Sequence, residues 1–393
     1  MAHLQLAARS VQDAVLEGDD LSQSFFANGF ERHTRFATDH RTLVFKGDAS
    51  FGHRCAISLD RLGDLVHAVT LVATIRRGPG EAWYPMEALC ERVSVWIGGQ
   101  KIDEHTSTYF RLYDELHRDA GERQAYATMT NFDTDDPEGC VRTLYLPLLF
   151  WFARDPAKAL PLIALPYADV EIVVDLAREV AGIDVTHAPT IAISVEYIFL
   201  NDAERALVAS AERTLLIEVL QLHEEHVTIG PEVATHKVEL TFNHPCRSLL
   251  WCFRGDRHGV FTASGTPLER VEAYAPLLEA HMLISGHVRA RPRSGPWYRA
   301  VTSLGTRGRA PSAGVYTWDA CLDPSAPGPT GSINMSALDG VALCLTTKRI
   351  STALGGEDEG APGMANLHTV SVFAPSWNWL VFKEGMAGLK FSS

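Results

Sequence analysis

The sequence is short of the features that mark several large classes of protein. Its seven cysteines form no CxxC pair, so neither a zinc site nor a disulfide framework is indicated, and we predict reduced, mostly buried thiols. No run approaches the ~18 apolar residues that a membrane-spanning helix needs, and residues 1–20 contain no apolar core of signal-peptide length. Lys and Arg total 35 against 48 Asp and Glu, and the resulting net charge of −13 argues against a general nucleic-acid-binding surface. We therefore predict a protein that is made and kept in a soluble compartment and has no direct nucleic-acid partner.

Sequence motifs of common enzymes are also missing. There is no GxGxxG, no GxxxxGK[ST] and no GxSxG, which leaves nucleotide-binding and hydrolase hypotheses without support. The HEEH segment, which contains His223 and His226, lacks the HExxH arrangement of zinc proteases. In a strand these two histidines would lie on opposite faces. We predict that the chain is not an enzyme and holds neither a cofactor nor a metal.

Period-two alternation is the strongest local pattern that the sequence does contain. From Val170 to Leu176 every second residue is Val, Ile or Leu, which is typical of a strand with one buried face. Pro147, Pro161 and Pro166, which precede this segment, argue against a long helix here. Similar alternation occurs at 93–97, 191–199, 238–242 and 370–372. Short strands separated by Gly, Pro, Asn and Asp clusters favour antiparallel sandwiches or barrels.

A segment near the midpoint of the chain predicts a helix. Asn201 can cap it, Glu204 stands three residues later, and the following residues DAERALVASAER are mostly strong helix formers. Each half of the 393 residues then consists of predicted strands. This layout predicts two similar barrels joined by a helical connector.

Three long polar stretches interrupt the predicted strands, at 117–139, 286–314 and 348–365. We predict that they are loops projecting from one end of a barrel. The basic clusters Arg289–Arg293 and Arg307–Arg309 lie within the second stretch and are short and rich in Gly, Pro or Ser. A solvated loop is the prediction for both clusters.

Six stretches, taken in order, resemble the major capsid proteins of nucleocytoplasmic large DNA viruses. The stretches are Phe25–Ala37, Phe51–Ile75, Val93–His105, Pro147–Ile172, Pro329–Asp339 and Trp377–Ser393. The residues that carry the resemblance are Arg32, His33, Thr34, Gly63, Asp64, Leu65, Gly98, Gly99, Gln100, Pro161, Leu162, Pro329, Gly331, Ser332, Asn334 and Ser336. Thr330 departs from the pattern, because the family often has Ser there.

The resemblance implies an all-β fold of two consecutive eight-stranded antiparallel jelly-roll barrels, a double jelly roll, joined by a short helix. The implied division is an N-terminal arm at 1–24, a first jelly roll at 25–200, a linker helix at 201–213 and a second jelly roll at 214–393. It also implies a homotrimer that forms a pseudo-hexagonal capsomer of an icosahedral shell. The implied partners are neighbouring capsomers, and minor capsid proteins and the inner membrane side through the N-terminal arm. The chain would be synthesised in the host cytoplasm and reside in the virion.

The residues of these motifs have structural interpretations of their own. Gly98-Gly99 suits a tight reversal at positive φ, which glycine adopts without steric cost. Pro329, Gly331 and Asn334 suit a corner in which side chains bind backbone amides. Asn334 also begins an Asn-Met-Ser sequon and is a candidate for glycosylation, although its place in the motif favours a structural role.

Two alternatives to a major capsid protein stay open at this point. A minor capsid paralogue would share the fold and be used at special positions of the shell. A jelly-roll carbohydrate-binding or cupin-type protein would belong to a different functional class, and a metal-dependent cupin would need several histidines facing into one barrel.

Overall fold

Antiparallel strands make up most of the structure, which is a computed structural model. The described residues are 34–45, 49–80, 84–133, 135–210, 212–230, 232–255, 276–311, 314–348 and 366–391. The described residues from Ala37 onward form one compact unit. Within the described ranges no helix is long and apolar enough to cross a membrane.

The first barrel consists of two antiparallel sheets. One has the strand order β1-β9-β3-β6, with the short strand β7 beside β3, and the other has the order β2-β8-β4-β5. The strands are β1 (Phe36–Val44), β2 (Arg54–Ser58), β3 (Leu65–Arg76), β4 (Cys90–Ile97), β5 (Gln100–Thr106), β6 (Val141–Pro147), β7 (Leu160–Pro161), β8 (Val170–Leu176) and β9 (Thr190–Leu200). In β8 the even-numbered residues are buried, as the alternation predicted.

The second barrel repeats this arrangement. Its main strands are ordered β10-β19-β13-β16 in one sheet and β11-β18-β14-β15 in the other. The strands are β10 (Arg213–Ile229), β11 (Ala234–Leu240), β12 (Pro245–Cys246), β13 (Ser248–Gly255), β14 (Leu277–Ile284), β15 (His287–Ser294), β16 (Val315–Asp319), β17 (Ile333–Asn334), β18 (Val341–Thr347), β19 (Asn366–Lys383) and β20 (Met386–Leu389). Without the short strands β7, β12, β17 and β20, both barrels have eight strands in the same order, which confirms the predicted double jelly roll.

Helices lie in the connections between the strands. They are α1 (Pro85–Leu89), α2 (Ser107–His117), α3 (Ala120–Thr130), α4 (Trp151–Arg154), α5 (Asp202–Ser210) and α6 (Thr302–Arg307). A π-helical turn at Trp297–Val301 precedes α6, and 3-10 turns occur at Pro156–Lys158, Leu162–Ala164 and Met335–Ala337. Helix α5 is the predicted connector, and Asn201 Oδ1 accepts the backbone N–H groups of Ala203 and Glu204 at 3.1 and 3.0 Å. It is shorter than the predicted 201–213, because β10 already begins at Arg213.

The first two polar stretches differ from the prediction in three places, and all of the third except residue 348 lies outside the described residues. Residues 297–307 form the π-helical turn and α6 rather than a loop. Residues 120–130 are helix α3 rather than loop, because Asp119 and Glu122 form a reciprocal capping box at its start. The cluster Arg289–Arg293 lies in strand β15, not in a loop. Arg307 is buried at the end of α6 and donates two hydrogen bonds to the Asp319 carboxylate, at 2.6 and 2.8 Å. An apparently solvated basic cluster therefore contains a buried ion pair.

The sheet that contains β10, β19, β13 and β16 is buried on both faces. Along β13, Trp251 belongs to the core of the second barrel, whereas its neighbours Leu250 and Cys252 belong to the core cluster of the first barrel. On β19, Val372 belongs to the core of the second barrel and Phe373 to the core cluster of the first. A strand buried on both faces carries a continuous apolar run rather than an alternating one. The first barrel therefore packs directly against this sheet of the second.

Candidate functional site

A buried ion cluster lies where the two barrels meet. Glu218 of β10 accepts a hydrogen bond from Arg154 of α4 at 2.7 Å and a second one from Arg247. Burial alone would raise the pKa of Glu218, but the two guanidinium groups outweigh it and lower the pKa to about 2. The carboxylate is therefore ionised at neutral pH and joins the first barrel to the second. No sequence pattern indicates this cluster, because its three members are far apart in the chain.

The edge strand β5 makes a second polar contact across the same boundary. Asp103 Oδ1 accepts the backbone N–H of Leu220 in β10 at 2.9 Å. Its other oxygen lies 3.1 Å from Nε2 of His105, and both side chains are almost fully buried. His105 in turn stacks on Phe150, with ring centroids 4.9 Å apart. Asp103 and His105 stand in the resembling stretch Val93–His105, but the pattern alone did not identify them as contact residues.

Helix α2 adds an aromatic contact to the same boundary. The ring of Tyr109 lies 5.7 Å from that of Phe373 on β19, and Tyr109 is buried. Burial raises the pKa of its phenol. One turn further along α2, Tyr113 stacks on His117 at 4.6 Å. The first barrel thus covers the second with an aromatic helix as well as with a strand edge.

Gly98, Gly99 and Gln100 link the first barrel to the β19–β20 hairpin. The two glycines have φ of 56° and 80° and close the turn between β4 and β5, where Ile97 pairs with Gln100. Gln100 Oε1 accepts the backbone N–H of Leu389 in β20 at 3.3 Å. A turn motif and the stretch near the end of the sequence are therefore in direct contact.

The turn of this hairpin also touches the first barrel. The carbonyl oxygen of Gly385 accepts the backbone N–H of Tyr167 at 3.1 Å. Gly385 has φ of 77°, and a Cβ atom there would lie 2.6 Å from the Tyr167 ring. Only glycine fits this position without displacing the aromatic side chain.

The motifs Gly63-Asp64-Leu65 and Pro161-Leu162 come together beside α5. Leu65 of β3 pairs with Pro161 of β7. The Asp64 carboxylate accepts the backbone N–H of Leu200 at 2.9 Å and lies 3.0 Å from Nε of Arg205 in α5. Asp64 therefore joins the end of β9 to the connector between the barrels. The preceding residue, Gly63, packs so closely on Tyr197 that a Cβ atom would lie 2.7 Å from the tyrosine Cβ.

The stretch from Pro329 to Ser336 forms a hydrogen-bonded corner of the second barrel. Asn334 Oδ1 accepts the backbone N–H of Ser336 at 3.1 Å, and Ser336 Oγ accepts that of His244 at 2.7 Å. Gly331 has φ of 142°, where a side chain is strained. The hydroxyl of Thr330 accepts the N–H of Asp323 and donates to its carbonyl, so threonine supplies the hydroxyl that serine would. Pro329, Ser332 and Asn334 are exposed.

The opening motif lies mostly outside the described residues. Arg32 and His33 belong to the undescribed part, and Thr34 is the first described residue. Glycosylation of Asn334 stays a prediction, as does the structural role of the motif residues.

A second buried charge cluster stabilises the helices between β5 and β6. Arg111 of α2 lies 2.6 Å from Asp114, 2.9 Å from Glu115 and 3.9 Å from Glu87 of α1. Tyr126 of α3 donates a hydrogen bond to Glu87 at 2.7 Å. Burial raises the pKa of Glu87 to about 7, because desolvation outweighs the attraction of Arg111.

The histidines considered for a metal site are separated by the strand geometry. His223 and His226 both lie in β10, three residues apart and so on opposite faces. His223 packs edge-on against Phe242, and His226 Nδ1 lies 3.1 Å from the hydroxyl of Thr369. Across the described ranges, no group of three or more His, Cys, Asp or Glu side chains could hold a metal ion.

Two protein-family models together match nearly the whole chain. Residues 24–201 match the family model described as "Major capsid protein N-terminus", and residues 204–388 match "Large eukaryotic DNA virus major capsid protein". The major capsid protein of Paramecium bursaria Chlorella virus 1 is 31% identical over 99% of both chains. The chain belongs to the major capsid protein family of large eukaryotic DNA viruses. The major capsid protein of Pyramimonas orientalis virus is a further relative, 30% identical over 99% of both chains.

Solved structures of capsid proteins share the fold. The PBCV-1 VP54 structure fitted into a reconstruction of the virophage Sputnik superposes with a TM-score of 0.86 at 27% identity, covering 94% of this chain and all of that one. The predicted family and the predicted function as a major capsid protein are thereby confirmed. Neither the minor paralogue nor the carbohydrate-binding or cupin-type alternative is favoured. The relatives are structural components of virion capsids.

Proposed function

We propose that the chain acts as an obligate homotrimer that forms a pseudo-hexagonal capsomer of an icosahedral shell. Each copy contributes two barrels with the same strand order, so three copies contribute six similar barrels. A threefold trimer can therefore occupy a nearly sixfold position. The proposed division of the chain is an arm at 1–24, barrels at 25–200 and 214–393, and a linker at 201–213.

The observation that carries the trimer is a difference between equivalent sheets of the two barrels. In β16 of the second barrel, Val315 is fully buried and belongs to the core cluster of the first barrel, which covers the outer face of that sheet. In β6, the equivalent strand of the first barrel, Val141 and Tyr145 are 63% and 43% exposed. A face that is covered within the chain in one barrel and exposed in the other favours a further copy as its cover.

The remaining parts of the proposal follow from family membership. Neighbouring capsomers are the lateral partners, and the arm at 1–24 contacts minor capsid proteins and the inner membrane side. The chain is synthesised in the host cytoplasm, and its role is structural rather than catalytic, without a cofactor. The motif residues contribute by shaping turns and corners of the barrels.

Sedimentation velocity and mass photometry of the purified protein test the trimer. One chain has a mass of 43.2 kDa, so we expect a single species of about 130 kDa that does not dissociate on dilution into the nanomolar range. Such persistence is the behaviour of an obligate interface, which typically buries more than ~2,000 Å². A species of 43.2 kDa at micromolar concentration would refute the proposal.

A further inference from the structure

The second barrel carries a helical segment equivalent to the aromatic helix of the first. Helix α2 follows β5, and the turn at Trp297–Val301 with α6 follows β15, the fifth main strand of its own barrel. An aromatic pair stands three and four residues after the last strand residue in each case, as Tyr109-Phe110 after Thr106 and as Trp297-Tyr298 after Ser294. The two segments are therefore corresponding parts of the two barrels.

The second member of each aromatic pair is buried. Phe110 is fully buried and lies edge-on to His105 of β5. Tyr298 is also buried and packs against Trp251, with ring centroids 5.2 Å apart. These residues fix each helical segment to the strands of its own barrel.

The first member of each pair points away from its own barrel and has a different environment in each. Tyr109 lies against Phe373 of the other barrel and is only 2% exposed. Trp297 is 37% exposed, and its ring lies 4.7 Å from the guanidinium carbon of Arg293. The aromatic ring that is covered in the first barrel is thus partly exposed in the second.

The equivalence extends along one helical face. Tyr109 is followed at helical spacing by Tyr113 and Leu116, which are half-buried and buried. The same offsets from Trp297 give Val301 and Leu304, and the three residues are 37%, 49% and 61% exposed. In α2 these offsets lie on one helix face, and in the second segment, which begins with a π-helical turn, they give three residues that are all exposed. We name Trp297, Val301 and Leu304 the apolar stripe.

The strand beside the stripe shows the same difference. In the first barrel, β5 lies against the second barrel through the Asp103–Leu220 and Gln100–Leu389 hydrogen bonds. Its equivalent β15 is exposed at seven of its eight positions. A strand edge and a helix face that cover a sheet in one half of the chain are both exposed in the other half.

We propose that the apolar stripe docks on the exposed outer face of the first barrel of a second copy, at Tyr145 of β6. This contact repeats between chains the way in which the first barrel covers the equivalent sheet of the second barrel within the chain, where Val315 of β16, the counterpart of β6, belongs to the core cluster of the first barrel. The contact joins two different surfaces, the apolar stripe of one copy and the sheet of the next. Each copy carries both surfaces, so a ring closes when the last copy binds the first. The inference rests on the proposed trimer and names the surfaces that form it.

Two charge substitutions on opposite sides of the contact test it. Leu304→Glu changes the stripe and Tyr145→Glu changes the sheet, and both positions are exposed in the single chain, so both variants are expected to fold. Each variant alone is expected to shift from about 130 kDa to 43.2 kDa. A mixture of the two is expected to give a species of about 86 kDa, because the intact sheet of one variant can still bind the intact stripe of the other.

Leu207→Glu is the matched control, because Leu207 of α5 is also a helical leucine with 61% exposure. It is expected to remain trimeric. Circular dichroism reports whether each variant is folded, and Val301→Glu replaces Leu304→Glu if the latter is not. A trimeric stripe variant would overturn the inference while leaving the trimer in place, and so would a mixture that stays monomeric. A monomeric unaltered protein would instead overturn the proposed function.

Discussion

Glu218→Gln tests whether the ion cluster between the barrels contributes to stability. Glutamine keeps the shape of the side chain, but it leaves Arg154 and Arg247 without their counter-charge. The side chains of Glu218 and Arg247 are 8% and 7% exposed, so solvent screens the loss only weakly. We therefore expect a large decrease in the free energy of unfolding at neutral pH.

The magnitude follows from the pKa of Glu218. The pKa falls from an ordinary value of 4.5 to about 2, and at about 1.4 kcal/mol per pKa unit the charged form is favoured by about 3 kcal/mol on folding. Removing one partner of a buried ion pair typically costs a similar ~3–5 kcal/mol. Because the folded-state pKa is lowered, this stabilisation is fully present above pH 4.5 and is lost as the pH falls towards 2. The difference in the free energy of unfolding between the unaltered protein and Glu218→Gln should therefore become smaller in acid.

Urea unfolding at fixed protein concentration, followed by tryptophan fluorescence, measures the effect. Trp377 is a local reporter, since its ring lies 5.6 Å from the guanidinium carbon of Arg247. Glu239→Gln is the control, because Glu239 makes an exposed pair with Lys237 at 2.7 Å that water screens. The reasoning is refuted if Glu218→Gln destabilises the protein no more than the control does, or if its effect is the same at pH 3 and pH 7.

Three further substitutions test local features. Gly331→Ala places a Cβ atom 2.8 Å from the Ala320 carbonyl oxygen at φ of 142°. Thermal unfolding should therefore show that the free energy of unfolding decreases by roughly 1–3 kcal/mol. Gly305→Ala, in α6 with open space around it, should instead stabilise by about 0.5–1 kcal/mol, and equal shifts would contradict the strain at Gly331. Glu87 has a raised folded-state pKa of about 7, so stability should fall as the pH rises from 4.5 to 7. Glu87→Gln should remove that decline in urea titrations at pH 5 and pH 7.5, and parallel pH profiles would disprove the assignment.

Local pattern predicted several of the strands and, through their layout, two similar barrels, whereas the jelly-roll topology was predicted from the family resemblance. Alternation predicted β8 because one of its faces meets the core and the other is more exposed. The same reasoning failed to show that the sheet containing β13 and β19 is buried on both faces. Ser371 in β19 is fully buried, although a polar residue in an alternating strand predicts an exposed position. Its surroundings depend on the other barrel, which no local window contains.

The contacts of the candidate site were less accessible to prediction than the turns. Positive φ at Gly98 and Gly99 is a local property that turn chemistry can predict. The hydrogen bond from Leu200 to Asp64 joins residues 136 positions apart, and the bond from Leu389 to Gln100 spans 289. Helix α3 is a different case, because its capping box at Asp119 and Glu122 is a local sequence signal that the prediction of a loop does not use.

The hairpin between β19 and β20 is synthesised long after the first barrel, yet it supplies hydrogen-bond partners to that barrel. The backbone N–H of Tyr167 and the side chain of Gln100 find their partners at Gly385 and Leu389. A ribosome translates the first barrel long before it reaches these residues, so that flank stays hydrated until the hairpin emerges. A shortened polypeptide that ends before Gly385 lacks both of these partners, and this flank of its first barrel stays hydrated.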